Sequence, residues 1–192
     1  MKYEFTQDWF SWSPPIWEQV FKQLEVENIL EIGCFEGRAT TWLIENVDCK
    51  KIFCIDTFEG GEEHTEEIME GVFDRWQSNV EIALEVSAYN PDVQIIEESS
   101  FNGLITLWDK SEEFDFIYVD GSHVAKDVLT DACLAWHLLK RGGVMCFDDY
   151  GWGADLPETH KPRLAIDAFT HIFQEDLDVI HKGYQLIVQR IA

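Results

Sequence analysis

Three aspartates follow two apolar runs that are typical of buried β-strands. Asp120 comes directly after residues 116–119, and Asp148 and Asp149 come directly after residues 143–147. If both runs are strands of one α/β sheet, their carboxyl ends meet at the edge where such sheets bind ligands. Carboxylates held close together repel one another unless a proton or a cation intervenes, and hard cations such as Mg²⁺ prefer oxygen ligands. The three acids together therefore predict a divalent-metal site, although Asp120 alone could simply cap the helix that follows.

A glycine-containing turn at residues 31–40 predicts a second site. Gly33 and Gly37 would let a ligand approach the backbone at the start of a helix, although tight turns need glycine in any case. Asp56 ends the next apolar run, where doubly wound nucleotide-binding proteins place an acid against ribose hydroxyls. Glu31 lies in the strand before the turn, and its charge would repel a pyrophosphate. The turn therefore favours a positively charged ligand over a dinucleotide.

Short apolar runs alternate with longer mixed segments along the chain of 192 residues. This alternation predicts repeated strand-helix units in a single domain over residues 1–192. Strands are expected at 28–33, 51–56, 93–97, 114–120 and 144–148, and helices at 39–45, about 63–89, 101–108, 124–139 and 162–173. Gly142 and Gly143 are expected to end the fourth of these helices, and two further strands at 177–180 and 184–191 should form a hairpin. The predicted fold class is α/β, with a doubly wound, mostly parallel seven-stranded sheet and a C-terminal antiparallel hairpin.

The first 24 residues are unusually rich in aromatic side chains, including Trp9, Trp12 and Trp17 around Pro14 and Pro15. Aromatic side chains more often cover a core than contact a ligand. Residues 1–24 therefore predict an N-terminal cap. A lid over a site or the contact of a homodimer is the alternative interpretation.

Composition excludes several classes of partner. The net charge of −23, from 14 basic and 37 acidic residues, opposes binding to nucleic acid and to anionic membranes. The five cysteines form no C-x-x-C pair and lie mostly in apolar runs, which predicts buried thiols and a reducing compartment. No apolar stretch approaches the ~18 residues of a membrane span, and the acidic start is unlike a signal peptide. We therefore expect a cytoplasmic protein.

Four motifs carry a resemblance to a known family over nearly the whole chain. Residues 31–37 resemble motif one of the class I S-adenosylmethionine-dependent methyltransferases. The aromatic at Phe35 is similar to that of the metal-dependent O-methyltransferases of the catechol and caffeoyl-CoA type. Residues 56–60 and 148–151 resemble segments of the macrocin-type sugar O-methyltransferases, and residues 120–123 are similar to the Asp-Gly-x-His signature of a group of small bacterial methyltransferases.

The resemblance implies a Rossmann-like methyltransferase fold, S-adenosylmethionine as methyl donor, and a divalent metal, Mg²⁺ or another. By alignment with the family, the metal ligands are Asp120, Asp148 and Asp149. Contacts with the cofactor are implied for the first motif, for the segment after the second strand, and for the loop after the third strand, where Ser100 could also be a plain helix N-cap. The residues are Glu31, Gly33, Cys34, Phe35, Gly37, Asp56, Thr57, Phe58, Ser99, Ser100 and Asp120.

His123 and Asp120 are the predicted catalytic residues. His123 lies three positions after Asp120 and is the predicted general base. By resemblance it occupies the place of the catalytic lysine of the catechol branch, whereas the base of the macrocin branch aligns nearer Ser122. The plain alternative is a residue at a helix N-terminus that bonds to Asp127 one turn on. Trp152 and the N-terminal aromatics are expected to contact the acceptor.

The predicted function is metal-assisted methyl transfer to a hydroxyl of a small molecule, with sugars among the candidate acceptors. Two alternatives stay open. One is an oxidoreductase that binds NAD in the same fold, against which stand Glu31 and the absence of a G-x-G-x-x-G run. The other is a cofactor-binding domain without catalysis.

Overall fold

Seven strands form one sheet with helices on both faces. The computed structural model describes residues 2–61 and 64–192. The strands are β1 (Asn28–Ile32), β2 (Lys51–Ile55), β3 (Asp92–Ile96), β4 (Phe114–Val119), β5 (Leu139–Phe147), β6 (Leu177–Lys182) and β7 (Leu186–Arg190). The helices are α1 (Pro14–Phe21), α2 (Arg38–Asn46), α3 (Glu66–Met69), α4 (Val72–Val86), α5 (Ser100–Asp109), α6 (Ala125–Leu138) and α7 (Pro162–Ile172).

The strand order is β3-β2-β1-β4-β5-β7-β6. Strands β1 to β5 are parallel, and β7 is antiparallel to both β5 and β6. This order confirms the predicted doubly wound sheet with a C-terminal antiparallel hairpin. From β1 the next strands, β2 and β3, are added on one side, and β4 and β5 are added on the other. Such a switch point between β1 and β4 opens a crevice at the carboxyl ends of the strands.

Two hydrophobic clusters hold the helices on the sheet. Leu30 of β1 packs in one cluster with apolar residues of α5, α6 and α7, and Ile29 packs in the other with residues of α1, α2 and α4. Neighbouring residues of a strand point to opposite faces, so a strand covered on both faces is apolar throughout. This is why the apolar runs located the central strands correctly.

Two of the expected helix boundaries are wrong. The helix expected over residues 63–89 is two helices, α3 and α4, because Gly71 between them has a positive φ of 70°; residue 63 lies outside the described residues. Gly142 and Gly143 do not end a helix. Helix α6 ends at Leu138 and β5 begins at Leu139, so both glycines lie inside the strand, near a shift in its register with β4.

The N-terminal segment, residues 2–24, covers the face of the sheet that carries α2 and α4. Trp17 of α1 is fully buried, and its ring packs edge-on against Phe116 and Tyr118 of β4. Thr6 donates two hydrogen bonds of 2.7 Å to the buried Glu36 carboxylate. The segment is thereby attached to the turn that follows β1.

The cysteines lie mostly in the core, as their apolar surroundings predicted. All five cysteines are free thiols, and four of them are buried. In residues 2–61 and 64–192, no helix has both the length and the apolar character that crossing a membrane requires.

Candidate active site

A cavity of about 1490 Å³ lies over the carboxyl ends of β1 to β5. It brings together twelve of the predicted site residues, which come from every turn at this edge of the sheet. They are Glu31, Gly33, Cys34, Phe35, Asp56, Thr57, Ser99, Ser100, Asp120, His123, Asp148 and Asp149.

Two predicted cofactor residues lie behind the cavity wall. Gly37 faces Trp76, whose Cδ1 would be 2.9 Å from a Cβ at this position. Phe58 packs against Phe73 and Trp76, with ring centroids 4.9 and 5.9 Å apart. The structure therefore explains both residues by packing, because neither is part of the cavity lining.

Gly33 joins the turn after β1 to the turn after β4. A Cβ at Gly33 would lie 2.1 Å from the carbonyl oxygen of Asp120 and 2.7 Å from Cα of Gly121. The Asp120 backbone N–H donates a 2.8 Å hydrogen bond to the carbonyl of Ile32, the residue before this glycine. A side chain cannot fit there, so Gly33 permits contact between two loops as well as access for a ligand.

Asp56 holds the turn after β1 in place. One of its carboxylate oxygens accepts hydrogen bonds of 2.8 Å from the backbone N–H groups of Cys34 and Phe35, and the other accepts one of 2.7 Å from Phe58. An ionised carboxylate has about four acceptor positions. Asp56 can therefore organise the turn and still accept a bond from a ribose hydroxyl.

Glu31 is a buried carboxyl at the cavity wall, with 1% of its surface exposed. The Thr40 hydroxyl donates a 2.6 Å hydrogen bond to it, and the Cys54 thiol lies 3.8 Å from the same oxygen. Burial raises the pKa of Glu31 to about 8, although the hydrogen bond from Thr40 opposes the rise. A carboxyl buried beside neutral donors is well suited to receive a cationic group.

Tyr118 links two of the three predicted metal ligands. Its hydroxyl lies 2.9 Å from Asp120 Oδ2 and also contacts Asp148 Oδ2. The Gln185 side-chain amide donates a 3.3 Å bond to the same Asp148 oxygen, and the Asp149 backbone N–H donates a 2.7 Å bond to the other. A tyrosine hydroxyl carries one proton and can donate to only one carboxylate at a time.

Burial and mutual repulsion disfavour the ionised form of two carboxylates in this cluster. Burial raises the pKa of Asp120 well above its usual range, and the charges of Asp148 and Asp149 add to the rise. Burial also raises the pKa of Asp148 to about 6, again helped by the charge of Asp149. Oxygen donors of this kind suit a hard cation. In the described part of the chain, however, no three His, Cys, Asp or Glu side chains are arranged as metal ligands.

His123 pairs with the third carboxylate. Its Nε2 lies 2.6 Å from Asp149 Oδ2, and the Tyr184 hydroxyl donates a 2.7 Å hydrogen bond to Asp149 Oδ1. The His123 ring stacks on Trp152 with a centroid distance of 4.1 Å. Asp127, the partner in the plain alternative, accepts a 3.2 Å hydrogen bond from Ser122. A carboxylate and an aromatic ring therefore both fix the imidazole at the cavity wall.

Aromatic side chains form the outer wall of the cavity near His123. Trp12 and Tyr184 are 45% and 41% exposed, and their rings meet edge-on with centroids 5.8 Å apart. On the side of the cavity where the cofactor is expected, the ring centroids of Trp9 and Phe35 are 5.0 Å apart. The N-terminal segment therefore extends across the cavity from the first turn to the acidic cluster.

Four positions at the candidate site were not predicted from the sequence. Tyr118 had a usable signal, because it lies two residues before Asp120 and so on the same face of β4. Asp131 had one as well, because it stands in the apolar stripe of α6 formed by residues 128, 132 and 135. Tyr184 and Gln185 reach the site only because β7 pairs with β5, and that register is not visible in the sequence.

Comparisons with known proteins relate the chain to methyltransferases. A protein-family model described as a methyltransferase domain matches residues 30–150. An uncharacterised protein of Acanthamoeba polyphaga mimivirus is 30% identical over 122 residues, which cover 63% of this chain and 50% of that protein. The chain thus spans about half the length of this curated relative.

Two of the crystal structures with a similar fold are those of O-methyltransferases. The O-methyltransferase from Bacillus cereus in complex with S-adenosylhomocysteine has a TM-score of 0.69 and 18% identity, over 97% of this chain and 84% of that chain. The O-methyltransferase TomG from Streptomyces achromogenes, in complex with S-adenosylmethionine, has a TM-score of 0.67 and 17% identity, over 92% of this chain and 78% of that chain. At these identities the likeness establishes the fold alone.

Proposed function

The chain belongs to the methyltransferase-domain family whose model matches residues 30–150, and from that premise we propose that it is a metal-assisted O-methyltransferase. It transfers the methyl group of S-adenosylmethionine to a hydroxyl of a small molecule. One observation carries this proposal. Glu31 and the turn after β1 share a single cavity with His123 and three carboxylates, so a cationic methyl donor and a hydroxyl acceptor can meet there.

Methyl transfer is an in-line displacement at carbon. The bond from the methyl carbon to the sulfonium breaks, the bond from that carbon to the acceptor oxygen forms, and neutral S-adenosylhomocysteine leaves. The acceptor hydroxyl loses its proton. The chain has to hold the donor and the acceptor in line and take up this proton.

Glu31 supports the choice of donor. S-Adenosylmethionine carries an ammonium and a sulfonium group, and the buried Glu31 carboxyl provides a complementary charge beside the first turn. Asp56 lies at the end of β2, where a ribose hydroxyl can donate to its remaining acceptor position. Both structural relatives described above bind a cofactor of this type, which favours the same ligand here.

His123 is the proposed general base. The contact between Nε2 and the Asp149 carboxylate orients the imidazole, which takes up the proton of the acceptor hydroxyl. Asp149 then stabilises the imidazolium that forms. The stacking of Trp152 on the ring keeps the imidazole at a fixed angle to the acceptor.

Asp120, Asp148 and Asp149 are the residues that would hold a divalent metal. When bound, such a metal lowers the pKa of an acceptor hydroxyl and fixes its position. Two observations support this part of the proposal. The cluster offers only oxygen donors, and the pKa values of Asp120 and Asp148 are raised, so a positive charge would be favourable there.

The acceptor would lie between Trp12, Trp152 and Tyr184. Aromatic rings of this kind pack against the apolar face of a sugar or of a phenol, and their polar edges leave hydroxyl groups free to bond. The negative charge around the cavity disfavours a phosphorylated acceptor. A small uncharged hydroxylated molecule therefore fits best.

Turnover with and without metal tests this function. We expect the chelator-treated protein to regain the formation of S-adenosylhomocysteine when Mg²⁺ and a panel of sugars and phenols are added. In Asp148→Asn, turnover should fall at least about 100-fold while the Kd for S-adenosylhomocysteine changes less than about twofold, because the carboxylate acts on the acceptor side. Asp178→Asn, an exposed substitution on β6, is the matched control.

Each part of the proposal can fail separately. Full turnover in chelator would remove the metal from the mechanism. Binding of S-adenosylhomocysteine without turnover across the panel would favour a cofactor-binding domain without catalysis. Binding of NAD alone would favour the oxidoreductase.

A further inference from the structure

Asp131 of α6 is a buried acid at the cavity wall that the proposed reaction does not use. Only 2% of its surface is exposed, yet it contributes to the cavity lining. Its Oδ2 has no hydrogen-bond partner among the described residues. Buried carboxylate oxygens in folded proteins are nearly always bonded, because an unpaired one loses its hydration without compensation. The Asp131 carboxyl, which lines the cavity and is not fully bonded, is therefore a candidate acceptor for a ligand.

The surroundings of Asp131 show which part of a ligand it would meet. The carboxyl interacts with the side chain of Ser100, which is the first residue of α5 and follows β3. On its other side, a Cβ at Gly121 would lie 3.8 Å from Oδ2. Asp131 therefore stands between the loop after β3 and the loop after β4, at the edge where the sheet binds ligands.

The order of the strands predicts the direction in which the cofactor lies along this edge. Glu31 marks the end of β1, and Asp56 marks the end of β2, where a ribose is held in doubly wound folds. The next strand in the sheet is β3. A nucleoside whose ribose lies at Asp56 therefore places its base beside Ser99 and Ser100, and so within reach of Asp131.

We propose that Asp131 accepts a hydrogen bond from the exocyclic amine of the adenine ring and makes the site selective for adenosyl over inosyl cofactors. The inference rests on the proposed function, since it assumes an S-adenosyl ligand. An ionised carboxylate only accepts hydrogen bonds. Adenine offers an N–H donor at position 6, whereas hypoxanthine has a carbonyl oxygen there, which a carboxylate repels.

A purely structural role predicts a different outcome. If Asp131 only joined α5 to α6 through Ser100, removing its charge would change stability but would not change which purine is preferred. The ratio of two affinities separates these roles. A general loss of folding lowers both affinities together and leaves their ratio unchanged.

Calorimetric titration of the full chain with S-adenosylhomocysteine and with S-inosylhomocysteine at pH 8 tests the proposal. Burial raises the pKa of Asp131 to about 7, so the carboxyl is mainly ionised at that pH. We expect the wild type to bind the adenosyl compound about 10- to 100-fold more tightly. In Asp131→Asn the ratio should fall to within about threefold, because a side-chain amide can donate to the hypoxanthine oxygen as well as accept from adenine.

Two further variants complete the design. Asp131→Ala removes both functions of the side chain and should also lose the preference. Asp109→Asn makes the same change of charge at an exposed position of α5 and should keep the wild-type ratio. Equal affinities in the wild type, or an unchanged ratio in both Asp131 variants, would overturn the inference and leave the proposed function intact. Binding of neither compound would overturn both.

Discussion

The two ends of the cavity are built in different ways. The cofactor end is formed mainly by short segments that directly follow strands, and backbone N–H groups of Cys34 and Phe35 after β1 bind the carboxylate of Asp56 after β2. The acceptor end takes its carboxylates from β4 and β5 and its hydrogen-bond donors from distant segments, such as Tyr184 and Gln185 before β7. Segments at the ends of neighbouring parallel strands therefore determine the first end, whereas the packing of more distant segments determines the second.

The two ends also differ in how their negative charge is balanced. Glu31 has neutral partners, and its pKa is raised to about 8 mainly by burial. At the acceptor end, the carboxylates repel one another and are partly satisfied by Tyr118 and His123. A single cationic group of the ligand can compensate the negative charge at the cofactor end. The negative charge at the acceptor end needs protons, a cation, or both to balance it.

Gly33→Ala should have the largest effect, because it breaks the contact between the two ends. The added Cβ would meet the Asp120 carbonyl oxygen at 2.1 Å, so the turns after β1 and β4 would have to separate. We expect the free energy of unfolding to fall by about 4 kcal/mol or more, as measured by denaturant unfolding.

Gly142→Ala is the matched control for this prediction. Gly142 has nearly the same positive φ as Gly33, 82° against 83°, but nothing lies within 4 Å of the place that its Cβ would take. Its substitution should therefore show only the backbone cost of a left-handed alanine, about 1–2 kcal/mol. Equal losses in the two variants would show that the contact between the turns contributes little.

His123→Gln should impair the acceptor end and spare the cofactor end. Loss of a general base lowers kcat by about 10²- to 10⁴-fold, whereas the Kd for S-adenosylhomocysteine should stay within about twofold. His171→Gln, on the exposed surface of α7, should retain wild-type turnover. A parallel loss of cofactor affinity in His123→Gln would mean that the two ends do not act separately.

Glu31→Gln should have a smaller effect, confined to the cofactor end and dependent on pH. A bound ammonium group favours the ionised form of Glu31, so ligand binding releases a proton at any pH below the folded pKa of about 8. We therefore expect the affinity for S-adenosylhomocysteine to rise between pH 6 and pH 8, by up to about tenfold per pH unit from this group. Glu31→Gln should reduce this slope and weaken binding at pH 8 by about tenfold.

The same group has a defined effect on the stability of the ligand-free protein. Because burial raises the folded pKa of Glu31 above its ordinary value, its contribution to stability is fully present at low pH and is lost as the pH rises toward about 8. Thermal unfolding of wild type and Glu31→Gln across this range provides an independent check. A slope of affinity with pH that is the same in both proteins would contradict the assignment of Glu31.

Much of the cofactor end could be predicted from the sequence because its residues lie in short segments that directly follow strands. The run 31–37 and the acid at residue 56 occupy positions that a doubly wound fold determines by itself. The exceptions, Gly37 and Phe58, contact Trp76 of α4. Nothing in the local sequence of either residue reveals that contact.

The acceptor end could be predicted only in part. The strand-ending acids were visible as Asp120, Asp148 and Asp149, and all three line the cavity. Their partners were not visible, because Tyr184 and Gln185 depend on the pairing of β7 with β5. Side chains from distant segments reach a site through packing, which a local pattern does not encode.

We propose that this cavity binds an S-adenosyl cofactor at the end marked by Glu31 and Asp56. The most direct test is calorimetric titration of the purified chain with S-adenosylhomocysteine and, separately, with NAD. We expect one molecule of S-adenosylhomocysteine to bind per chain, and NAD to bind at least about 100-fold more weakly. Binding of NAD with equal or higher affinity, or no binding of S-adenosylhomocysteine, would contradict it.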